Sequence, residues 1–235
     1  MIRLLCIILF ISYSYGKTYP FTEGESLYYK ALFSGIEAGQ GTLKVIGRDT
    51  INNTSVLHVR FSAKTHGFID KIYPINDVIN LWLDDHSLLP IKIEKHISEG
   101  KYNKKKQILL NHNNQFAIIK GDTLPIPLNT HSPYSLLYFL RNKNLESLHG
   151  KEFVIIDGKR TTLLTMDIHE NIEINIPLGQ FNCTEVTPTN IDKKNFKNES
   201  SMSIWFTNDF KHYPAQITIK MKFGNLTLKL YKIIN

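Results

Sequence analysis

The sequence predicts an all-β, mainly antiparallel protein in which one large curved sheet forms a half-barrel or open barrel around one short internal helix. Three observations favour this fold. Apolar and polar residues alternate with a period of two along most of the chain, which is typical of strands with one buried face. Turn residues interrupt the alternation about every 8–12 residues. A parallel sheet is disfavoured because each crossover would need a helix of its own, and only one segment has a helical pattern.

The first half of the chain predicts a meander of short strands. Asp84-Asp85 and Leu89-Pro90 mark the connection between its last two strands. The alternating segments are residues 27–33, 41–46, 56–63, 79–83 and 91–97.

The helical signal follows a proline-rich link, Leu124 to Pro127. Ser132 can cap a helix and Pro133 suits the first helical position. A wide apolar stripe then covers about two turns: Leu136, Leu137, Phe139 and Leu140. This helix would be a plug or lid of the concave face, or an ordinary core-capping helix.

Strand patterns resume after the helix, so more than ten strands are expected in all. Their segments are residues 153–156, 162–168, 172–176, 181–186, 203–206, 217–221 and 226–231.

Residues 1–16 have the order of a secretory signal peptide. A basic start at Arg3 precedes an apolar run, and Ser14 and Gly16 fit a cleavage site before Lys17. The run is too short to span a bilayer, and a buried N-terminal strand is the alternative. We therefore expect an exported, periplasmic protein whose mature chain is one β-rich domain, residues 17–235, with no transmembrane span.

Composition and charge exclude several classes of protein. Apolar residues make up 42% and charged residues 21% of the chain, which argues against wholesale disorder, a collagen-like fibre or a multi-span membrane protein. The net charge of +7 is scattered along the chain, so no nucleic-acid partner is predicted.

The cysteines predict neither a disulfide nor a reactive thiol. Cys6 would leave with the signal peptide, and Cys183 would then be alone. Because Cys183 lies on an alternating segment, it is expected to be a small buried apolar residue.

No catalytic or cofactor motif is present, so no catalytic residues, metal or cofactor are predicted. Asp84-Asp85-His86 and Asp167 to Glu170 contain metal-competent side chains. Neighbouring residues of a strand point to opposite faces, and both groups are expected in solvated turns.

Candidate polar contacts to a ligand are Glu94, Glu99 and Arg141. Glu94 can pair with a cation across the sheet, contact a ligand or simply lie at the surface. The basic arm Lys101 to Lys106 can touch anionic lipid head groups or glycans. It can equally be a solvated edge strand that lysines protect from pairing.

The large apolar residues of the strands and helix are candidates for the lining of a concave cavity. They are Trp82, Leu136, Tyr138, Phe139, Trp205 and Phe206. Not all of them can face inward, since Trp205 and Phe206 are adjacent in one strand.

The order of several short motifs resembles the family called domain of unknown function 3108, from about Phe21 to Leu230. The motifs are Phe21–Tyr29, Gly35–Gly39, Trp82–Asp84 with Leu89-Pro90, Glu99–Tyr102, Ser135–Arg141, Pro177–Cys183, Ile204-Trp205 with Asp209 and Pro214, and Phe223–Leu226. The resemblance implies a mostly β, exported protein of the Gram-negative cell envelope and brings no catalytic residues. His131-Ser132-Pro133 stands where an acidic residue is expected in relatives, so a role for that acid is in doubt here.

These observations predict a non-catalytic periplasmic protein that binds an apolar or amphipathic envelope component, by analogy with half-barrel lipoprotein carriers. A cell-wall or polysaccharide-binding module is the alternative, which exposed aromatic rows on the convex face would favour. A hydrolase is third, and it would require Asp84, Glu94, His96 and Glu99 to converge.

Overall fold

The computed structural model describes residues 19–191, 201–222 and 224–235, and in these residues fourteen strands form one sheet. The strands are β1 (Ser26–Phe33), β2 (Ile36–Ile51), β3 (Thr54–Thr65), β4 (Asn76–Asp84), β5 (Pro90–Glu99), β6 (Tyr102–Asn111), β7 (Phe116–Ile119), β8 (Asp122–Pro125), β9 (Glu152–Asp157), β10 (Arg160–Ile176), β11 (Gly179–Asn190), β12 (Ser201–Thr207), β13 (Pro214–Met221) and β14 (Gly224–Ile234). The helices are α1 (Gly67–Ile72) and α2 (Pro133–Arg141), and Glu146–Leu148 form a single 3-10 turn.

The sheet consists of two antiparallel meanders that meet at the β1–β14 pair. Its spatial order is β8-β7-β6-β5-β4-β3-β2-β1-β14-β13-β12-β11-β10-β9. Each strand pairs with its neighbours in sequence except that β8 and β9 do not pair, and β1 also pairs with β14. The predicted antiparallel, open sheet is confirmed, and its two edges are β8 and β9.

The connection from β8 to β9 must travel from one edge of the sheet to the other, and it does so across the concave face. Helix α2 lies on this path. Ser132 Oγ accepts a hydrogen bond from the Ser135 amide at 3.1 Å, and Ser135 Oγ accepts one from the Ser132 amide at 2.8 Å. This reciprocal capping box and Pro133 in the first turn confirm the predicted start of the helix.

Helix α2 fills the concave face and divides the core into two clusters. Leu136, Leu137 and Leu140 pack into the cluster formed mainly by β1 and β10–β14. Tyr138 packs into the cluster formed mainly by β2–β7, and Phe139 contacts both clusters. The helix is therefore part of the core.

A few polar contacts join the β9 edge to the opposite half of the sheet without a continuous ladder. His131 makes an isolated parallel bridge with Ile155 in β9. Its amide donates to the Val154 carbonyl at 2.8 Å, and its carbonyl accepts from the Ile156 amide at 2.7 Å. Lys95 Nζ in β5 lies 2.8 Å from Asp157 Oδ1 in β9. We call this junction the seam.

Some elements differ from those the sequence predicts. Helix α1 is too short for a 3.6-residue pattern to be visible, and β8 occupies part of the expected proline-rich link. The two segments expected at 162–168 and 172–176 form the single strand β10, with a bulge after His169. Asp167 to Glu170 therefore lie in a strand, and their expected place in a turn is wrong.

The basic arm is the outward half of β6. Residues 102–107 pair with β5, whereas β7 pairs only with residues 108–111. One side of this half-strand is free, so all its side chains can be polar without disturbing a core. The edge-strand interpretation of the lysine run is thus confirmed.

Gly39 of β2 is required where β2 and β3 approach closely. A Cβ there would lie 2.3 Å from the Lys64 carbonyl oxygen and 2.9 Å from Thr65 Cα. Because both are backbone atoms, no side-chain rotation relieves the clash. We expect Gly39→Ala to lower the free energy of unfolding by roughly 2 kcal/mol, measured by urea unfolding. Gly41→Ala, where the nearest atom is 3.6 Å away, is the control, and equal losses in both variants would contradict the prediction.

Candidate functional site

A pocket of about 430 Å³ opens beside the seam, at the carboxyl end of helix α2. We call it the seam pocket. It lies between the β4–β5 turn, the link from β8 to α2, the end of α2 and the start of β9. Its apolar wall consists of Leu89, Leu128, Phe139, Phe153 and Val154. Its polar lining consists of His86, Ser87, Asn129, His131, Asn142, Lys143 and Glu152.

His131 is the most deeply buried polar side chain of this wall. Its ring centroid lies 4.8 Å from that of Phe139 and 6.3 Å from that of Phe153. Burial, followed by the charges of His112 and Lys143, lowers the pKa of His131 from 6.5 to about 4. The imidazole is therefore neutral at pH 7, and its Nδ1 has no hydrogen-bond partner among the described residues.

A cation lies above the aromatic wall. Lys143 Nζ is 4.7 Å from the ring centroid of Phe139, and the Phe139 and Phe153 rings meet edge to face at 5.7 Å. The pocket thus combines an apolar wall, one ammonium group and, just beneath its surface, one neutral nitrogen that has no partner among the described residues. These are the features of a site for a small molecule with an apolar body and a polar head.

Arg141, at the end of α2, forms a fully buried ion pair with Glu25. Its Nη1 and Nη2 lie 2.6 and 3.1 Å from the two carboxylate oxygens, and both side chains are 1% exposed. The guanidinium also donates to the Lys211 carbonyl and lies over the rings of Phe21, Tyr138 and Tyr213. The guanidinium is enclosed by protein, so Arg141 fixes α2 to the residue before β1 and to the β12–β13 turn.

The structure separates the predicted lining residues. Leu136, Tyr138 and Phe206 are buried in the core, and Trp205 is half-buried against the second cluster. Ligand contact by these four stays a prediction, which for the three buried side chains would require the core to open. Phe139 is the one that lines the seam pocket.

Trp82 lies on the outer face of the sheet, since its neighbours Leu81 and Leu83 point into the core. Its indole stacks on His58 with the ring centroids 4.5 Å apart, and Lys92 Nζ lies 4.3 Å from its ring centroid. Its Nε1 donates to Asp49 Oδ2 at 3.2 Å. His58, Lys92 and Asp49 therefore already contact the indole ring of Trp82.

Glu94 also lies on the outer face, where it borders a concavity of about 710 Å³ with Arg60, Asn80 and His96. Its carboxylate pairs with Lys92 at 2.7 Å and accepts a hydrogen bond from Gln107. These contacts lower its pKa, with the Lys92 hydrogen bond as the largest cause.

Glu99 lies at the other end of β5, beside Asp77. Burial raises the pKa of Glu99, and the neighbouring Asp77 carboxylate raises it further. Because Glu94, His96 and Glu99 are spread along β5 and Asp84 ends β4, these four residues do not form one cleft.

No group of three or more His, Cys, Asp and Glu side chains suited to a metal ion occurs in residues 19–191, 201–222 and 224–235. Cys183 is completely buried, and burial raises the pKa of its thiol to about 11. It behaves as an apolar core residue.

Sequence reasoning missed most of the seam pocket. His131 attracted notice only as a departure from an expected acidic residue, and Phe153 only as part of a strand. The proline-rich link before α2 is the sequence signal that could have revealed the pocket. A link that joins the two edges of the sheet must cross the concave face, where the pocket opens.

Among the described residues, no helix has the length and apolar character needed to cross a membrane. The predicted signal peptide lies outside the described residues, and no curated protein matches the chain's sequence.

The chain is similar to several solved structures at low sequence identity. A β-barrel-like protein of the DUF1849 family from Brucella abortus is similar with a TM-score of 0.61 and 11% identity, covering 90% of this chain and 97% of that chain. A candidate lipoprotein from Parabacteroides distasonis has a TM-score of 0.43 and 12% identity, covering 92% and 97%. An exported-protein candidate with a YmcC-like fold from Bacteroides fragilis has a TM-score of 0.39 and 10% identity, covering 92% and 98%. The Brucella structure supports the β-barrel-like architecture.

The family comparison accounts for nearly all of the sheet. The model of DUF3108, described as a protein of unknown function, matches residues 26–231, which run from the first residue of β1 into β14. The resemblance drawn from the sequence motifs is confirmed over this range, and the chain belongs to the DUF3108 family.

Proposed function

We propose that this is an exported, non-catalytic periplasmic protein of the cell envelope that binds a single-chain amphiphile in the seam pocket. The observation that carries the proposal is the pairing of an aromatic wall with the unpartnered Nδ1 of His131 and the ammonium of Lys143 in one pocket. Export rests on the signal-like order of residues 1–16.

The shape of the pocket limits the ligand. Ligand sites typically enclose about 300–1,000 Å³, and the seam pocket, at about 430 Å³, is near the lower limit. One acyl chain suits it better than a two-chain lipid. The chain would lie along Phe139 and Phe153, and an anionic or hydroxyl head group would lie near Lys143 and His131.

The test uses laurate as the probe and isothermal titration calorimetry as the measurement. Leu128 lines the pocket but is 60% exposed, so Leu128→Glu should change the site without unfolding the protein. We expect laurate to bind the parent protein. Placing a carboxylate in the wall should weaken binding roughly tenfold, about 1.4 kcal/mol, and Lys143→Gln should also weaken it.

Leu178→Glu is the matched control, since Leu178 is an exposed leucine in the β10–β11 turn that does not border the pocket. It should bind laurate as the parent does. The proposal fails if the parent binds no laurate, or if both Leu→Glu variants lose affinity equally.

The two other functions have weaker support. A glycan platform would need an open aromatic face, and the Trp82 ring is already in contact with His58 and Lys92. A hydrolase would need converging acids and bases, and Asp84, Glu94 and Glu99 are separated along two strands.

A further inference from the structure

Several large apolar side chains are exposed together at one end of the sheet. Six of them define what we call the apolar tip: Phe33, Ile36, Phe68, Ile72, Tyr73 and Tyr102. Single exposed apolar residues are ordinary on protein surfaces, whereas a concentration of them marks an interaction site.

The meander brings these residues to the same end. Successive hairpins of an antiparallel sheet alternate between its two ends, so the β1–β2, β3–β4 and β5–β6 connections lie at one end and follow each other across the sheet. Contacts confirm this. The His66 amide, just before α1, donates to the Ala38 carbonyl of β2 at 3.2 Å, and a Cβ on Gly100 would lie 3.0 Å from the Tyr73 ring.

Helix α1 contributes nothing to the core. None of its residues is buried, and Phe68 and Ile72 are 74% and 63% exposed. Ile36, in the neighbouring hairpin, is 69% exposed. A six-residue helix that keeps its apolar side chains in water is suited to a contact outside the molecule.

Two acidic groups near the tip already have partners. Glu37 pairs with Lys30 Nζ at 3.0 Å and with His66 Nε2 at 3.5 Å. Asp70 accepts a hydrogen bond from Thr65 Oγ1 at 2.6 Å.

The nearby lysines are different. Lys64, Lys71 and Lys101 are exposed and pair with no acidic group among the described residues. Asp77 and Glu99 also lie at this end, but like Asp70 they are half-buried. The exposed, unpaired charges around the tip are therefore positive among the described residues, which favours an anionic partner.

We propose that the apolar tip docks onto an anionic lipid bilayer surface. Phe68, Ile72 and Ile36 would enter the boundary between head groups and acyl chains, while the lysines contact the head groups. Tyr73 and Tyr102 are residue types that prefer this interface. Three separate protruding connections suit a flat surface, whereas a peptide partner would need a groove.

The test is co-sedimentation of the purified protein with vesicles of phosphatidylcholine and phosphatidylglycerol, compared with vesicles of phosphatidylcholine alone. We expect binding to the anionic vesicles. The Phe68→Ser/Ile72→Ser variant should lower the partition coefficient at least about tenfold. The Lys71→Gln/Lys101→Gln variant should remove the preference for anionic vesicles. Residues 1–16 are in the same state in every variant, so their contribution cancels.

The matched control is Leu178→Ser/Phe210→Ser, which removes two apolar side chains that are 37% and 66% exposed outside the tip and outside the seam pocket. It should bind vesicles as the parent does, and circular dichroism should show that all variants melt like the parent. Absence of parent binding, or an equal loss in the control, would overturn the proposal. Laurate binding at the seam pocket is measured without vesicles, so the two proposals can fail separately.

Discussion

Replacing Arg141 by methionine is expected to lower the free energy of unfolding by about 3–5 kcal/mol. The substitution keeps an unbranched side chain at the end of α2 but leaves the Glu25 carboxylate, 1% exposed, without its cation. It also removes the donors to the Lys211 carbonyl. Urea unfolding followed by tryptophan fluorescence measures the loss.

The double variant Glu25→Met/Arg141→Met separates the cost of an unpaired charge from the cost of lost packing. If the unpaired carboxylate dominates, removing it should restore at least about half of the stability, as apolar replacement of buried pairs does elsewhere. The part of the stability that is not restored would reflect the Lys211 carbonyl, which has lost its hydrogen-bond donors. A double variant no more stable than Arg141→Met would contradict this account.

Arg48→Met is the matched control. Arg48 also contacts two acidic partners, Glu23 at 2.9 Å and Asp85 at 3.0 Å, but its side chain is 48% exposed. Because exposed ion pairs contribute little, we expect a loss below about 1 kcal/mol. Equal losses at Arg48 and Arg141 would show that burial does not determine the effect.

The sequence predicts the sheet well because each strand carries its own evidence in the alternation of side chains. Where one side of a strand is free, as at Lys104 to Lys106, the alternation disappears, and the sequence left an edge strand and a lipid- or glycan-contacting arm as alternatives. Helix α2 was predictable because the cap at Ser132 and the apolar stripe lie within a few residues of each other.

The site was predictable only in part, because it depends on residues distant in sequence. Arg141 and Glu25 are 116 positions apart, and no local pattern links them. Phe139 was found as a member of the helix stripe. Leu89, His131 and Phe153 come together only because the link to α2 crosses the sheet from edge to edge.

The folded protein is expected to lose roughly 3 kcal/mol of stability through His131 as the pH falls from 6.5 to 4. The pKa of His131 is lowered to about 4 in the folded state, from 6.5. Between these values the unfolded chain binds a proton that the folded chain does not, so unfolding becomes more favourable as pH falls. The contribution is fully present above pH 6.5 and constant below pH 4.

His131→Phe isolates this contribution, since a phenyl ring retains the contacts with Phe139 and Phe153 but cannot take up a proton. Burial and the Asp77 carboxylate raise the pKa of Glu99, so this carboxyl group also contributes to the pH dependence of the parent protein. The informative quantity is therefore the difference in the free energy of unfolding between parent and variant, measured by urea unfolding at each pH. That difference should change by roughly 3 kcal/mol between pH 7 and pH 4, with the variant gaining relative stability as the pH falls.

His96→Phe provides the comparison, because it makes the same substitution at an exposed position of the outer face. The positive charge of Lys143 and the neighbouring His112 add to the effect of burial on the pKa of His131. Lys143→Gln should therefore reduce the acid loss without abolishing it. A flat difference between parent and His131→Phe across this range would mean that water reaches the buried imidazole and that the wall of the seam pocket opens in solution.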